Sequence, residues 1–194
     1  QIMADKTPPP TVLKYYPGVV LENDLQFDPS RCSAGLVLDG RNDIVSQNVT
    51  PAHWKCVALT TGFTTGKHYW ELLIVDSAVN NYIMVGVSST TAASLFTGST
   101  YPGHASDDGC SFYCHNGLIY SGNTNHAFAE KAARGDTIGV LLNMDDRTVS
   151  FFKNGKLLGC GAGSNVIKSD RTYFPVIGVY ELGHRVAIQN NLAF

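Results

Sequence analysis

From Val19 onward, short apolar runs alternate with turn residues at intervals of about 8–12 residues, the rhythm of a β-sandwich. The pattern predicts strands over residues 19–22, 26–28, 35–38, 43–46, 54–60, 68–75, 82–88, 110–115, 118–121, 137–143, 148–153, 156–159, 172–180 and 185–190. No stretch sustains the 3.6-residue period of an amphipathic helix. Single helical turns are expected at most over 91–96 or 127–133. Asn116-Gly117 and Asn154-Gly155 each lie between apolar segments and predict tight hairpins, because both turn positions need φ > 0. Asp145-Asp146 reads as a third turn.

Side-chain alternation assigns faces. Trp70, Leu72 and Ile74 share one side of their strand, with Tyr69, Glu71 and Leu73 on the other. A buried Trp70 then requires a partner for its indole N–H. The run Ile138-Gly139-Val140-Leu141-Leu142 is apolar on both faces, as a strand between two packed layers must be. Gly139 inside it calls for a backbone or aromatic neighbour in the space a side chain would fill. Residues 1–16, with Pro8-Pro9-Pro10, read as an extended leader, and 17–194 as one domain without repeat or linker. The fold class expected is all-β: an antiparallel two-sheet sandwich of ~12–14 strands.

Composition narrows the function. The chain has 194 residues, 15% charged, with a net charge of −2, and its basic residues are scattered singly. A phosphate backbone demands clustered Lys and Arg, so a nucleic-acid partner is not expected. No apolar run approaches the ~18 residues of a membrane helix, and the first residues lack the apolar core of a secretory signal. Cys32, Cys56, Cys110, Cys114 and Cys160 form no CxxC pair and no disulfide framework. Reduced thiols in the cytoplasm, with the nucleus as alternative, are expected. The triplet Asn48-Val49-Thr50 is discounted as a glycosylation site because Pro51 follows it.

Catalytic patterns fail in turn. Ser106 and His104 lie two residues apart without GxSxG or a third partner, a polar loop tip rather than a triad. Cys110 and Cys114 on one strand would sit ~13 Å apart, too far to share a zinc ion, and His115 points the other way. The acids Asp107-Asp108 and Asp145-Asp146 lack the alternating spacing of a calcium loop. The stretch from Gly159 to Ser164 lacks the Lys-Ser/Thr of a phosphate loop and reads as a flexible connector. No enzyme, cofactor or metal is expected.

Four motifs in order resemble the SPRY family. Gly62-Phe63-Thr64-Thr65-Gly66-Lys67-His68-Tyr69-Trp70-Glu71-Leu72 is similar to its glycine, then glycine-X-His-Tyr-Trp-Glu strand opening. Met84-Val85-Gly86-Val87-Ser88 resembles the following strand. Gly135–Asn143 with Val149-Ser150-Phe151-Phe152-Lys153-Asn154-Gly155 resembles the most diagnostic stretch, and Tyr173-Phe174-Pro175-Val176-Ile177 the penultimate strand. Upstream, Phe27-Asp28-Pro29 through Gly35-Leu36-Val37-Leu38 is similar to the strand pair that precedes the core in many members.

The resemblance covers roughly Pro17 to Asn190. It implies a concanavalin-like jelly-roll sandwich that binds a protein or short linear peptide through loops at its end, the targeting or scaffolding part of a larger protein. By likeness to ubiquitin-ligase adaptors, those loops fall on Pro51, Ala52 and His53, on Ser88, Ser89 and Thr90 with the loop reaching Tyr101, and on Tyr180, Leu182 and Gly183. Tyr101 and Tyr180 are the expected anchors. The basic residue those adaptors carry before the proline loop is replaced here by Val49 or Thr50, and the final loop is longer. No F-box or suppressor-box segment follows Phe194, so an effector is expected to lie outside this chain or to be absent. The isolated domain is expected to be monomeric. A glycan-binding sandwich, with Tyr101 beside Asp107-Asp108, is the alternative.

Overall fold

The structure, a computed structural model, describes residues 16–89, 93–104 and 109–193. In chain order its strands are β1 (Val19–Leu21), β2 (Phe27–Cys32), β3 (Leu36–Leu38), β4 (Ile44–Gln47), β5 (Lys55–Leu59), β6 (Lys67–Ser77), β7 (Ile83–Ser89) and β8 (Gly109–Tyr113). They continue as β9 (Leu118–Ser121), β10 (Thr124–Ala127), β11 (Thr137–Asn143), β12 (Thr148–Lys153), β13 (Lys156–Ala162), β14 (Tyr173–Val179) and β15 (His184–Gln189). A 3-10 turn, Ala93–Phe96, stands where the first of the two expected helical turns was placed. The other, over 127–133, is absent: its first residue ends β10, and Ala132 N–H donates to Cys114 O at 2.9 Å instead.

Two antiparallel sheets form the sandwich. One runs β13-β12-β11-β6-β15-β4-β3, with β1 added in parallel to β6; the other runs β10-β9-β8-β7-β14-β5-β2. Every residue of β7 and β11 is buried, as strands covered on both faces require. The main core between the sheets contains Trp70, Leu72, Ile74, Val85, Phe112, Val140, Phe151, Tyr173 and Ile177. Tyr69 lies on the opposite side of β6 in a second cluster with Leu141 and Phe152, so the expected alternation holds. Tyr16, Val19, Leu21 and Leu192 pack over that cluster, and Asn23 and Leu192 exchange two hydrogen bonds of 2.8 and 2.7 Å that tie the segment before β2 to the one after β15. A Cβ at Gly139 would collide with the Tyr69 hydroxyl, which fills the space predicted for an aromatic neighbour.

Three expectations are corrected, and one strand is added. Trp70 is fully buried and stacks on Phe63 at 5.8 Å, yet its Nε1 has no hydrogen-bond partner. Asn154 and Gly155 both have positive φ, but at Asn116-Gly117 only Gly117 does, and the pair Tyr113↔Leu118 encloses a four-residue loop. Strand β10, for which no strand was expected, is polar apart from Ala127 and forms by pairing with β9 across the Gly122–Asn123 turn. The glycine-rich stretch through Ala162 is not a loose connector but belongs to β13, which is bulged at two points against β12.

Candidate functional site

The outer face of the seven-stranded sheet carries the candidate site. On β8, Cys110 and Phe112 enter the core, so alternation turns Ser111 and Tyr113 outward. On β14, Tyr173 and Ile177 point in, leaving Phe174 and Val176 outside, with Tyr180 just beyond the strand on the same side. On β5, Val57 and Leu59 point in while Cys56 and Ala58 point out, and Trp54 just before the strand shares that side.

Trp54 gathers three tyrosines at its ring. Their centroids lie 5.1 Å (Tyr101), 5.3 Å (Tyr180) and 5.8 Å (Tyr113) away, at interplanar angles of 61–66°. These are edge-to-face contacts, the favoured geometry for aromatic quadrupoles. Tyr82 touches Tyr180 at 5.7 Å and His115 at 4.6 Å, and Tyr101 also meets Tyr120 at 5.2 Å. All of these rings are half-buried. Burial, reinforced by Tyr120, holds the Tyr101 hydroxyl above its usual titration range, and burial does the same to Tyr113. Both therefore remain protonated donors at neutral pH.

Two devices hold the rings in place. The segment 93–104 lies across the sheet face: Leu95 packs with Cys56, Ala58 and Val176, and Trp54 N–H donates to Ser99 Oγ at 3.2 Å. Ser111 Oγ donates to Pro102 O at 2.6 Å, fixing the stretch around Tyr101. His184, fully buried, anchors the other loop. Its Nδ1 accepts from Tyr180 N at 3.3 Å and Glu181 N at 3.1 Å, so Nε2 carries the proton and donates to Asn80 O at 2.7 Å. Burial lowers the His184 pKa, outweighing the bond to Asn80 and the nearby carboxylates. Gly183 N–H donates to Gln47 O at 3.0 Å, bringing this loop beside the strand that leads to Pro51.

Of the residues singled out from the sequence, Tyr101 and Tyr180 meet at Trp54, and Pro51, Ala52 and His53 run directly into it. Pro51 and Ala52 are exposed, and His53 Nδ1 lies 3.3 Å from Nζ of Lys55, a buried residue whose pKa burial lowers. Leu182, 53% exposed, and Gly183 form the rim. Ser88 and Ser89 do not join this group. They are buried strand residues lining a separate cavity near Phe174, six residues and roughly 20 Å along the strand from Tyr180. Thr90, Ser106, Asp107 and Asp108 lie outside the described residues.

Sequence reasoning missed the centre of the patch. The sequence pattern counts Trp54 as an ordinary strand residue and does not single out Tyr82, Tyr113 or Tyr120; His115 enters it only as a candidate metal ligand. Parity was the available signal: Phe112 inward places Tyr113 outward. Cys110 and Cys114 are both buried and form no disulfide, and burial raises the Cys114 pKa, which keeps that thiol protonated. Among the described residues no cluster of His, Cys, Asp and Glu is arranged to hold a metal ion. Asp145 and Asp146 serve the turns, accepting from Gly66 N and Asn143 Nδ2.

A family model for the SPRY domain matches residues 67–193. The chain belongs to the SPRY family. Among relatives of this SPRY domain, human SPRY domain-containing protein 3 is 26% identical over 162 residues, 80% of this chain and 34% of that protein. F-box/SPRY domain-containing protein 1 of Drosophila grimshawi is 30% identical over 146 residues, 69% of this chain and 55% of that protein. The chain thus spans about a third of the one relative and about half of the other. In fold it is similar to the SPRY domain of human HERC1 (TM-score 0.68, 23% identity, 84% of this chain and 96% of that one). It is also similar to the TRIM65 PSpry domain (TM-score 0.70, 15% identity, 95% and 98%). SPRY domains are generally non-enzymatic protein-interaction modules.

Proposed function

We propose that this SPRY domain recognises a short linear peptide of a protein partner on the aromatic face centred on Trp54, as the targeting or scaffolding part of a longer protein. The observation that carries this reading is the meeting of Trp54, Tyr101, Tyr113 and Tyr180, from four separate segments, as half-buried rings on one face. Large aromatics fixed in this way supply contact area at little entropic cost and dominate measured interface energies. Pro51, Ala52, His53, Leu182 and Gly183 form the rim, and the tyrosine hydroxyls donate to the peptide backbone. The pairing of an F-box with a SPRY domain in a relative's name supports an adaptor role. Five cysteines without a disulfide among them support a reducing compartment, cytoplasm or nucleus.

A pull-down with the domain, followed by peptide mapping of the captured protein, tests the proposal. The mapped peptide is expected to lose affinity on Tyr180→Ala and to keep it on Asn154→Ala, which lies in a hairpin turn away from the patch. If instead only glycans bind, and substitution of Asp107 or Asp108 abolishes that binding, the lectin alternative replaces this reading.

A further inference from the structure

A cavity of about 250 Å³ opens at the end of the same sheet face remote from Trp54. Its walls are largely apolar: Ala58 of β5, Phe174 and Val176 of β14, and Leu95 and Phe96 of the 3-10 turn. Arg31 of β2 is the one charged residue among those lining it. Its guanidinium is held from three sides. Nε donates to Asp28 Oδ2 at 2.8 Å, Nη2 donates to Leu59 O at 2.8 Å, and the Phe174 ring centre lies 3.8 Å from Cζ. A guanidinium has five N–H donors, and these two bonds use two of them.

Asp28 is itself engaged, with Oδ1 accepting from both the backbone N–H and the hydroxyl of Ser30. Burial works to raise the Asp28 pKa, but the bonds from Ser30 and Arg31 outweigh it and hold the carboxyl below its usual range. The Asp28–Arg31 pair is therefore ionised and formally neutral. What it offers an incoming anion is the guanidinium's remaining N–H donors rather than a net field. The free energy of occupancy must come mainly from the apolar walls, with the guanidinium deciding orientation.

We propose that this cavity is a second anchor site, which takes the apolar side chain of a partner's C-terminal residue while Arg31 binds its terminal carboxylate. The volume lies below the ~300–1,000 Å³ of drug-sized sites and suits one residue. A terminal carboxylate satisfies the apolar walls and the guanidinium with a single residue. In an extended peptide the neighbouring side chain points to the opposite face, whereas a terminal carboxylate hangs from the same Cα as the buried side chain. Ser88 and Ser89, the loop residues expected at the peptide site, belong to this cavity instead.

The test is an NMR titration of the protein with N-acetyl-L-phenylalanine and, in parallel, with its carboxamide. Shifts are expected at Ala58, Leu95–Thr97 and Phe174, with the acid binding about tenfold more tightly than the amide, as a charge-assisted bond to Arg31 requires. Arg31→Gln should bring the acid down to the amide's affinity. Thr97→Glu, at an exposed position on the rim, should weaken the acid and spare the amide without disturbing the core. Tyr180→Ala should leave both probes unchanged, which separates this site from the Trp54 face. Equal binding of acid and amide, shifts gathered at Trp54, or no shift at the cavity would each overturn the proposal.

Discussion

The ring centroids of Trp54 and Tyr180 lie 5.3 Å apart, edge to face, although 126 positions of chain separate the two residues (180 − 54). The contact exists because β5 and β14 are hydrogen-bonded neighbours and each residue stands at the adjoining end of its strand, where Lys55 pairs with Val179.

Alanine at Tyr101 or Tyr180 removes a ring from this patch while leaving the core between the sheets intact. Either variant is expected to weaken a mapped partner peptide by about 2 kcal/mol or more, about thirtyfold, with little change in stability. Titration calorimetry of parent, Y101A, Y180A and N154A checks it. Unaltered affinity in both tyrosine variants would place the binding surface elsewhere.

His184 makes the loop that carries Tyr180 sensitive to pH. Its neutral ring accepts from two backbone N–H groups, and burial depresses its pKa from 6.5. Between 6.5 and the lower folded-state value, the unfolded chain binds more protons than the folded one. The stability this residue contributes is thus fully present above pH 6.5 and is lost as pH falls through that window. Urea unfolding at pH 7.5 and 5.5 should show the parent losing stability that His184→Asn does not. A gap between parent and variant that stays constant with pH would contradict the assignment.

Trp70 is fully buried and stacks on Phe63. Trp70→Ala is expected to cost ~3–5 kcal/mol, a large share of the ~5–15 kcal/mol that stabilises a typical domain. Trp70→Phe should cost less, because it keeps much of the ring and removes an indole N–H that has no partner. Denaturant midpoints decide; a phenylalanine variant as unstable as the alanine variant would mean that the lost volume outweighs the relieved N–H.

None of the five cysteines forms a disulfide, and three of them are buried. Chelator together with reductant is expected to shift the melting temperature by no more than a few degrees. Collapse of the transition would show that a metal or a disulfide holds the fold.

How much was legible in advance follows the reach of each interaction. Strand positions, the inward face of Trp70, Leu72 and Ile74, and the filled space at Gly139 rest on alternation and on local backbone preference, which a sequence displays directly. The hairpin at Asn154-Gly155 was equally local. Strand β10 was invisible because its residues are exposed and, apart from Ala127, polar, and only pairing with β9 makes them a strand.

The candidate site divides in the same way. Family likeness alone put Tyr101 and Tyr180 forward, and placed Ser88 and Ser89 beside them. Only the order of strands in the sheet decided that both tyrosines meet Trp54, while Ser88 and Ser89 fall at the opposite end against Phe174. Alternation along one strand tells which side a residue faces. Which rings become neighbours depends on pairing between segments far apart in the chain, and that is a property of the folded sheet.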